Sequence, residues 1–112
     1  MEKNECLLEL DKIAELEDGW SYLGLGHKFG KSLIELCKKA IECMNVTPEI
    51  RPTIEDAIVF DYFGDKFNLE LSISNDGFSG FVTDKRESCY SIFEFETLDD
   101  LIAFWNVAVS TY

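Results

Sequence analysis

Apolar residues at the start of the chain recur at helical spacing. At roughly 100° per residue, Cys6, Leu7, Leu10, Ile13 and Ala14 share one face, and Glu5, Glu9, Asp11, Lys12 and Glu15 cover the rest. This predicts a helix from Asn4 to Leu16, capped by Asn4. Asp18-Gly19 then lets the chain turn. A second helix is predicted from Lys31 to Met44, with Leu33, Leu36, Cys37, Ala40, Ile41 and Met44 as its apolar stripe. Phe29, just before it, is placed to staple its first turn. Pro48 and Pro52 end this region and allow only a short edge strand around Ile50.

From residue 57 the period changes from helical to alternating. Ile58, Phe60 and Tyr62 fall on one side of a strand, as do Phe67, Leu69, Leu71 and Ile73 of the next. Asn68, Glu70, Ser72 and Ser74 face the opposite way, which predicts a sheet with one wet face. Gly64-Asp65 and Asn75-Asp76-Gly77 are turn sequences, and "DKRES" joins the strands "FSGFVT" and "CYSIFEF". A last helix opens at Thr97, with Asp100 three residues on. Leu98, Leu101, Ile102, Trp105, Val109 and Tyr112 repeat along it and should pack on the sheet. Helices outside a run of strands predict an α+β fold: two N-terminal helices, a four- to five-stranded antiparallel meander, and a C-terminal helix packed on one sheet face. Residues 1–112 read as a single domain.

Charge sharpens this reading. The chain carries 22 acidic and 10 basic residues, net −12. The excess is uneven, at −5 over residues 1–20, +2 over 21–48 and −9 over 49–112. Such a surface repels phosphate backbones and anionic membranes, so neither direct nucleic-acid binding nor membrane association is expected. It suits a basic protein partner or one that itself binds nucleic acid, and it also suits plain solubility. No apolar run approaches a membrane span of about 20 residues. The acidic start does not read as a secretory signal, so the cytoplasm is expected. Cys6, Cys37, Cys43 and Cys89 lack paired local spacing, and read as small buried hydrophobes rather than as a disulfide or zinc framework.

"GLGHKFGKS" at residues 24–32 has the look of a phosphate loop. Counting back from Gly30-Lys31-Ser32, the first glycine belongs at position 25, which is Leu25. The segment also follows a helix and not a buried parallel strand, so no nucleotide site is expected. Other chemistry is sparse. His27 is the one histidine, and pairing it with a cysteine stays open as a catalytic option. Asp61 and Glu70 are close neighbours on the wet sheet face, where they read as solvated charges or as an acid–base pair in a cleft. Trp20 and Tyr22 read either as a lid over the helical core or, beside Phe104, as aromatic anchors for a partner.

The stretches Leu16 to Trp20, Phe29 to Lys38 and Pro48 to Tyr62 resemble a group of small uncharacterised bacterial and phage proteins. The shared elements are Leu-x-Asp-Gly-Trp, a glycine-containing loop before a helix, Pro-x-Ile-x-Pro-Thr, and a strand ending in an aromatic. The resemblance implies a bacterial or phage setting and carries over no catalytic residue.

The resulting expectation is a non-enzymatic interaction protein of the antitoxin or anti-defence type. It has no catalytic, cofactor or metal residues, and Trp20, Tyr22, Asp61, Glu70 and Phe104 are its partner-binding candidates. The alternative is a small-molecule binder, as a dimer, with a pocket around Trp20. An enzyme using His27 or the Asp61–Glu70 pair is the third reading, and it requires those groups to converge in a cleft.

Overall fold

The computed structural model describes residues 2–111. The elements are α1 (Lys3–Ala14), α2 (Lys31–Cys43), β1 (Glu49–Pro52), β2 (Ala57–Phe63), β3 (Phe67–Ser74), β4 (Gly77–Asp84), β5 (Cys89–Phe95) and α3 (Leu98–Thr111). The strands form one antiparallel sheet in the order β1-β2-β3-β4-β5, so the α+β meander stands with its fifth strand present. β1 is an edge strand, as Pro52 within it requires. Tyr112 lies outside the described residues.

The alternating pattern decides which face is covered. Ile58 and Phe60 of β2 and Leu69, Leu71 and Ile73 of β3 are fully buried beneath the helices. Each such side chain contributes roughly 1.5–3 kcal/mol through burial. Gly80 of β4 lies opposite Leu71. A Cβ there would sit 3.0 Å from Leu71 and 3.1 Å from Phe95, so the missing side chain is what lets Phe95 close over the sheet.

α1 starts and stops slightly earlier than its periodicity predicts. Its first hydrogen bond runs from Cys6 N–H to the Glu2 carbonyl at 3.0 Å, which places Asn4 inside the first turn rather than at the cap. At the other end Glu15 and Leu16 donate to Lys12 and Ile13, a tightened turn that ends the α-helix at Ala14. Cys6, Leu10 and Ile13 point inward, and Lys38 of α2 reaches Asp11 of α1 at 2.9 Å. α2 buries Leu33, Ile34, Cys37, Ala40 and Ile41, with Phe29 buried ahead of it.

α3 is tied down by named contacts. The Thr97 hydroxyl accepts from Asp100 N–H at 3.1 Å, the capping geometry its sequence predicts. Trp105 is wholly buried and donates its indole N–H to the Val46 carbonyl at 2.9 Å. Asn106 accepts from Asn45 N–H at 2.8 Å and donates to the Cys43 carbonyl at 3.1 Å, so it satisfies the open end of α2.

The cysteines divide, contrary to the expectation that all are buried. Cys6 and Cys37 are buried, whereas Cys43 and Cys89 are exposed. Cys43 falls on the wet side of the last turn of α2, and Cys89 opens an edge strand beside a hairpin loop. Burial pushes the Cys6 thiol up to about 11 and the Cys37 thiol up to about 12. A thiol reagent at neutral pH should therefore modify two cysteines quickly and four only after unfolding. A raised thiol pKa also means that the folded state keeps protons the unfolded chain loses above the ordinary value of 9.0. Stability should fall as pH rises from about 9 towards 12, and urea titrations should show a shallower fall for Cys37→Ala.

Candidate interaction surfaces

Among the described residues, no helix covers the sheet's second face. Along it run Arg51 of β1, Val59, Asp61 and Phe63 of β2, Asn68 and Glu70 of β3, Phe81 of β4, and Tyr90, Ile92 and Glu94 of β5. Asp61 stands directly opposite Glu70, which in turn stands opposite Phe81, and Phe81 opposite Ile92. Phe81 stacks on Tyr90 with ring centroids 5.1 Å apart. Phe63, Tyr90 and Ile92 remain 62%, 65% and 67% exposed. An apolar and aromatic patch is thus bordered by carboxylates on an otherwise open sheet.

Asp61 departs from its expected role as a solvated charge, since it is only 5% exposed. Arg51 Nε donates to its Oδ2 at 2.9 Å, and Arg51 Nη2 lies 3.5 Å from Glu70 Oε2. The guanidinium therefore lies across two carboxylates and covers one of them. That contact, with Asp61 the larger influence, holds the Arg51 pKa above its ordinary value. Asp61 Oδ1 and Asn68 Oδ1 are buried without a hydrogen-bond partner among the described residues. The sequence signal for Arg51 was its place two residues from Asp61's strand partner Glu49, legible only once the register is known.

The second surface is the loop joining α1 to α2. Gly19 N–H donates to the Gly26 carbonyl at 2.8 Å, Ser21 N–H to the Leu25 carbonyl at 3.0 Å, and Gly24 N–H to the Ser21 carbonyl at 2.8 Å. The Ser21 hydroxyl accepts from Leu25 N–H at 3.0 Å. This is an ordered loop, and it holds Tyr22, Leu23 and Leu25 at 96%, 66% and 48% exposed. Trp20 takes the other role. It is half-buried against Phe29 at 6.2 Å and donates its indole N–H to the His27 carbonyl at 3.1 Å. It thus supports the loop from beneath. Sequence reading singled out Tyr22 but missed Leu23 and Leu25, whose exposure depends on the turn they occupy.

Gly26 sits flat against that indole. Its φ is +99°, and an added Cβ would lie 2.5 Å from Trp20 Nε1. Gly26→Ala should cost about 1–3 kcal/mol locally. Hydrogen exchange is the check: amides of residues 19–25 should exchange faster while those of β3 stay protected.

The remaining candidates stay apart. Phe104 of α3 packs on Phe93 and Phe95 of β5, at 4.9 and 5.3 Å, and not on Trp20 or Tyr22. His27 Nδ1 lies 3.0 Å from Asp56 Oδ1, with both side chains largely exposed. Asp56 is in a left-handed conformation at φ 65°, which an Asp tolerates. His27 and the Asp61–Glu70 pair therefore belong to different surfaces. Residues 31–43 follow a loop in a wholly antiparallel sheet protein, so Gly30-Lys31-Ser32 opens α2 outside any strand–loop–helix unit. Among the described residues no three His, Cys, Asp or Glu side chains are grouped to hold a metal ion, and no helix is long and apolar enough to cross a membrane.

These features define an α+β chain with a helix-covered sheet, an open acidic and aromatic face, and a projecting apolar loop. No protein-family model, curated protein or solved structure matches it.

Proposed function

We propose that this is a non-enzymatic protein-interaction module, which neutralises or regulates its partner as an antitoxin or an anti-defence inhibitor does. The observation that carries the reading is the uncovered sheet face, where Phe63, Tyr90 and Ile92 stand exposed beside Asp61, Glu70 and Glu94. Exposed aromatic and aliphatic side chains ringed by charge are the ordinary makeup of a binding patch. A carboxylate rim on a chain of net −12 favours a basic partner surface, including one that otherwise binds nucleic acid. The ordered loop at Tyr22, Leu23 and Leu25 adds a second apolar projection with little left to order on binding.

The test is affinity capture from the cells that produce the protein, run in parallel with wild type, Ile92→Glu and Tyr22→Ser. A basic protein retained by wild type and lost with Ile92→Glu supports the sheet-face reading, with capture weakening as salt rises. Loss with Tyr22→Ser alone would move the site to the loop. Identical recovery by all three forms, or only background proteins, would defeat the proposal. Placing a carboxylate at a central apolar contact is expected to cost at least about 2 kcal/mol, some thirtyfold in affinity.

A further inference from the structure

A cavity of about 360 Å³ lies between α3 and the ends of β3, β4 and β5. It goes beyond the protein-binding surfaces and shares none of the residues that carry them. Val82, Phe93, Phe104 and Ala108 supply apolar wall, with Phe93 and Phe104 in ring contact at 4.9 Å. The size is at the lower end for small-molecule sites. It has room for about a dozen heavy atoms if each takes the roughly 30 Å³ that water occupies.

The mouth of this cavity is unusual for so acidic a chain. Lys66, from the β2–β3 hairpin, and Arg86, from the β4–β5 loop, both line it. Lys85 N–H donates to the Lys66 carbonyl at 3.0 Å, so the two hairpin tips are joined there. Three of the ten basic residues gather at this corner. Two of the charges are already engaged. Lys85 Nζ donates to the Gly64 carbonyl at 2.7 Å, and Arg86 Nη2 lies 3.5 Å from Asp84. The Asp84 carboxyl accepts from Arg86 and Glu87 N–H, which holds it below the usual carboxylate range, so it stays ionised and offsets Arg86. The Lys66 side-chain amine has no hydrogen bond or ion pair among the described residues. One uncompensated ammonium therefore stands at the rim of an apolar hollow.

We infer that this cavity binds a small amphipathic monocarboxylate, its apolar body between Phe93, Phe104 and Val82 and its carboxylate against Lys66. Charge complementarity selects the head group. A neutral head forgoes the ammonium, a cationic head meets it with like charge, and a dianion also faces Asp84. A body of about ten carbons matches the volume of the hollow.

The experiment titrates the full chain with decanoate, decanol and decylamine below their micellar concentrations, followed by amide NMR and calorimetry. Decanoate should saturate one site, with the largest shifts at Val82, Phe93 and Ala108. Decanol should bind about tenfold more weakly, the worth of one charge-assisted contact, and decylamine more weakly still. Lys66→Gln, an exposed change that leaves the core intact, should bring decanoate to the level of decanol. Ala108→Trp should block binding by filling the cavity. Ile92→Glu, on the opposite sheet face, should leave decanoate binding unchanged, so the failure of either proposal can be told from the failure of the other. Absence of saturable decanoate binding, equal binding by wild type and Lys66→Gln, or shifts confined to the open sheet face would overturn the inference.

Discussion

Replacing Trp105 by alanine should cost about 3–5 kcal/mol of folding stability, the largest loss expected from any single truncation in this chain. Three interactions disappear together. The indole is fully buried, meets Tyr62 edge-on at 5.9 Å, and donates to the Val46 carbonyl at 2.9 Å. That carbonyl belongs to the segment leaving α2, so the truncation also loosens the tie between α3 and the helical layer. Against a typical total of about 5–15 kcal/mol, the variant should be marginal at 25 °C. Urea unfolding followed by far-ultraviolet circular dichroism checks this. Trp105→Phe separates the contributions, because it keeps most of the apolar volume and loses the hydrogen bond. A Trp105→Ala midpoint within error of wild type would show that the helix does not rest on this residue.

Arg51→Leu should cost about 1–3 kcal/mol, more than an exposed ion pair and less than a wholly buried one. Arg51 is itself about half exposed, which screens its contacts, but Asp61 is not. Without the guanidinium, a carboxylate whose Oδ1 already has no partner among the described residues stays buried next to Glu70. Arg51→Leu with Asp61→Leu removes both charges and should restore most of the loss at pH 7. If the single and double variants unfold at the same urea concentration, Asp61 does not depend on Arg51.

Legibility in the sequence tracked how local each cause is. α2 was readable to within a residue because Leu33, Cys37, Ala40 and Ile41 mark one face at helical spacing. β3 was readable because Phe67, Leu69, Leu71 and Ile73 alternate without interruption. The capping role of Thr97 depends on a residue three positions away, and it too was legible. Asn4 misled because a good capping residue does not choose the helix start when the preceding carbonyl, at Glu2, can already accept. Cys43 and Cys89 misled because amino-acid type says little about which side of a final helical turn or edge strand will be wet.

The candidate surfaces were less legible than the fold. Asp61 and Glu70 were correctly placed as neighbours, since alternation and one tight turn suffice to pair them. Their link through Arg51 needed the register of β1, a strand of four residues between Pro48 and Thr53, too short to show its alternation. Trp20 and Tyr22, adjacent in type and nearly in position, take opposite roles: one props the loop on Phe29 and the other projects from it. Periodicity has nothing to say there, because the loop's geometry comes from glycines at positive φ and from hydrogen bonds across seven residues.

By itself the order of residues determined the helices, the meander, the buried faces of β2 and β3 and the net charge of −12, because periodicity and composition are properties of the chain alone. Only the tertiary structure decided that Asp61 is buried beneath Arg51, that the loop holds Leu23 and Leu25 outward, and that the Lys66 side chain, unpaired among the described residues, stands beside an apolar hollow. Those outcomes depend on which elements meet, and contacts between residues far apart in the chain leave no period to read.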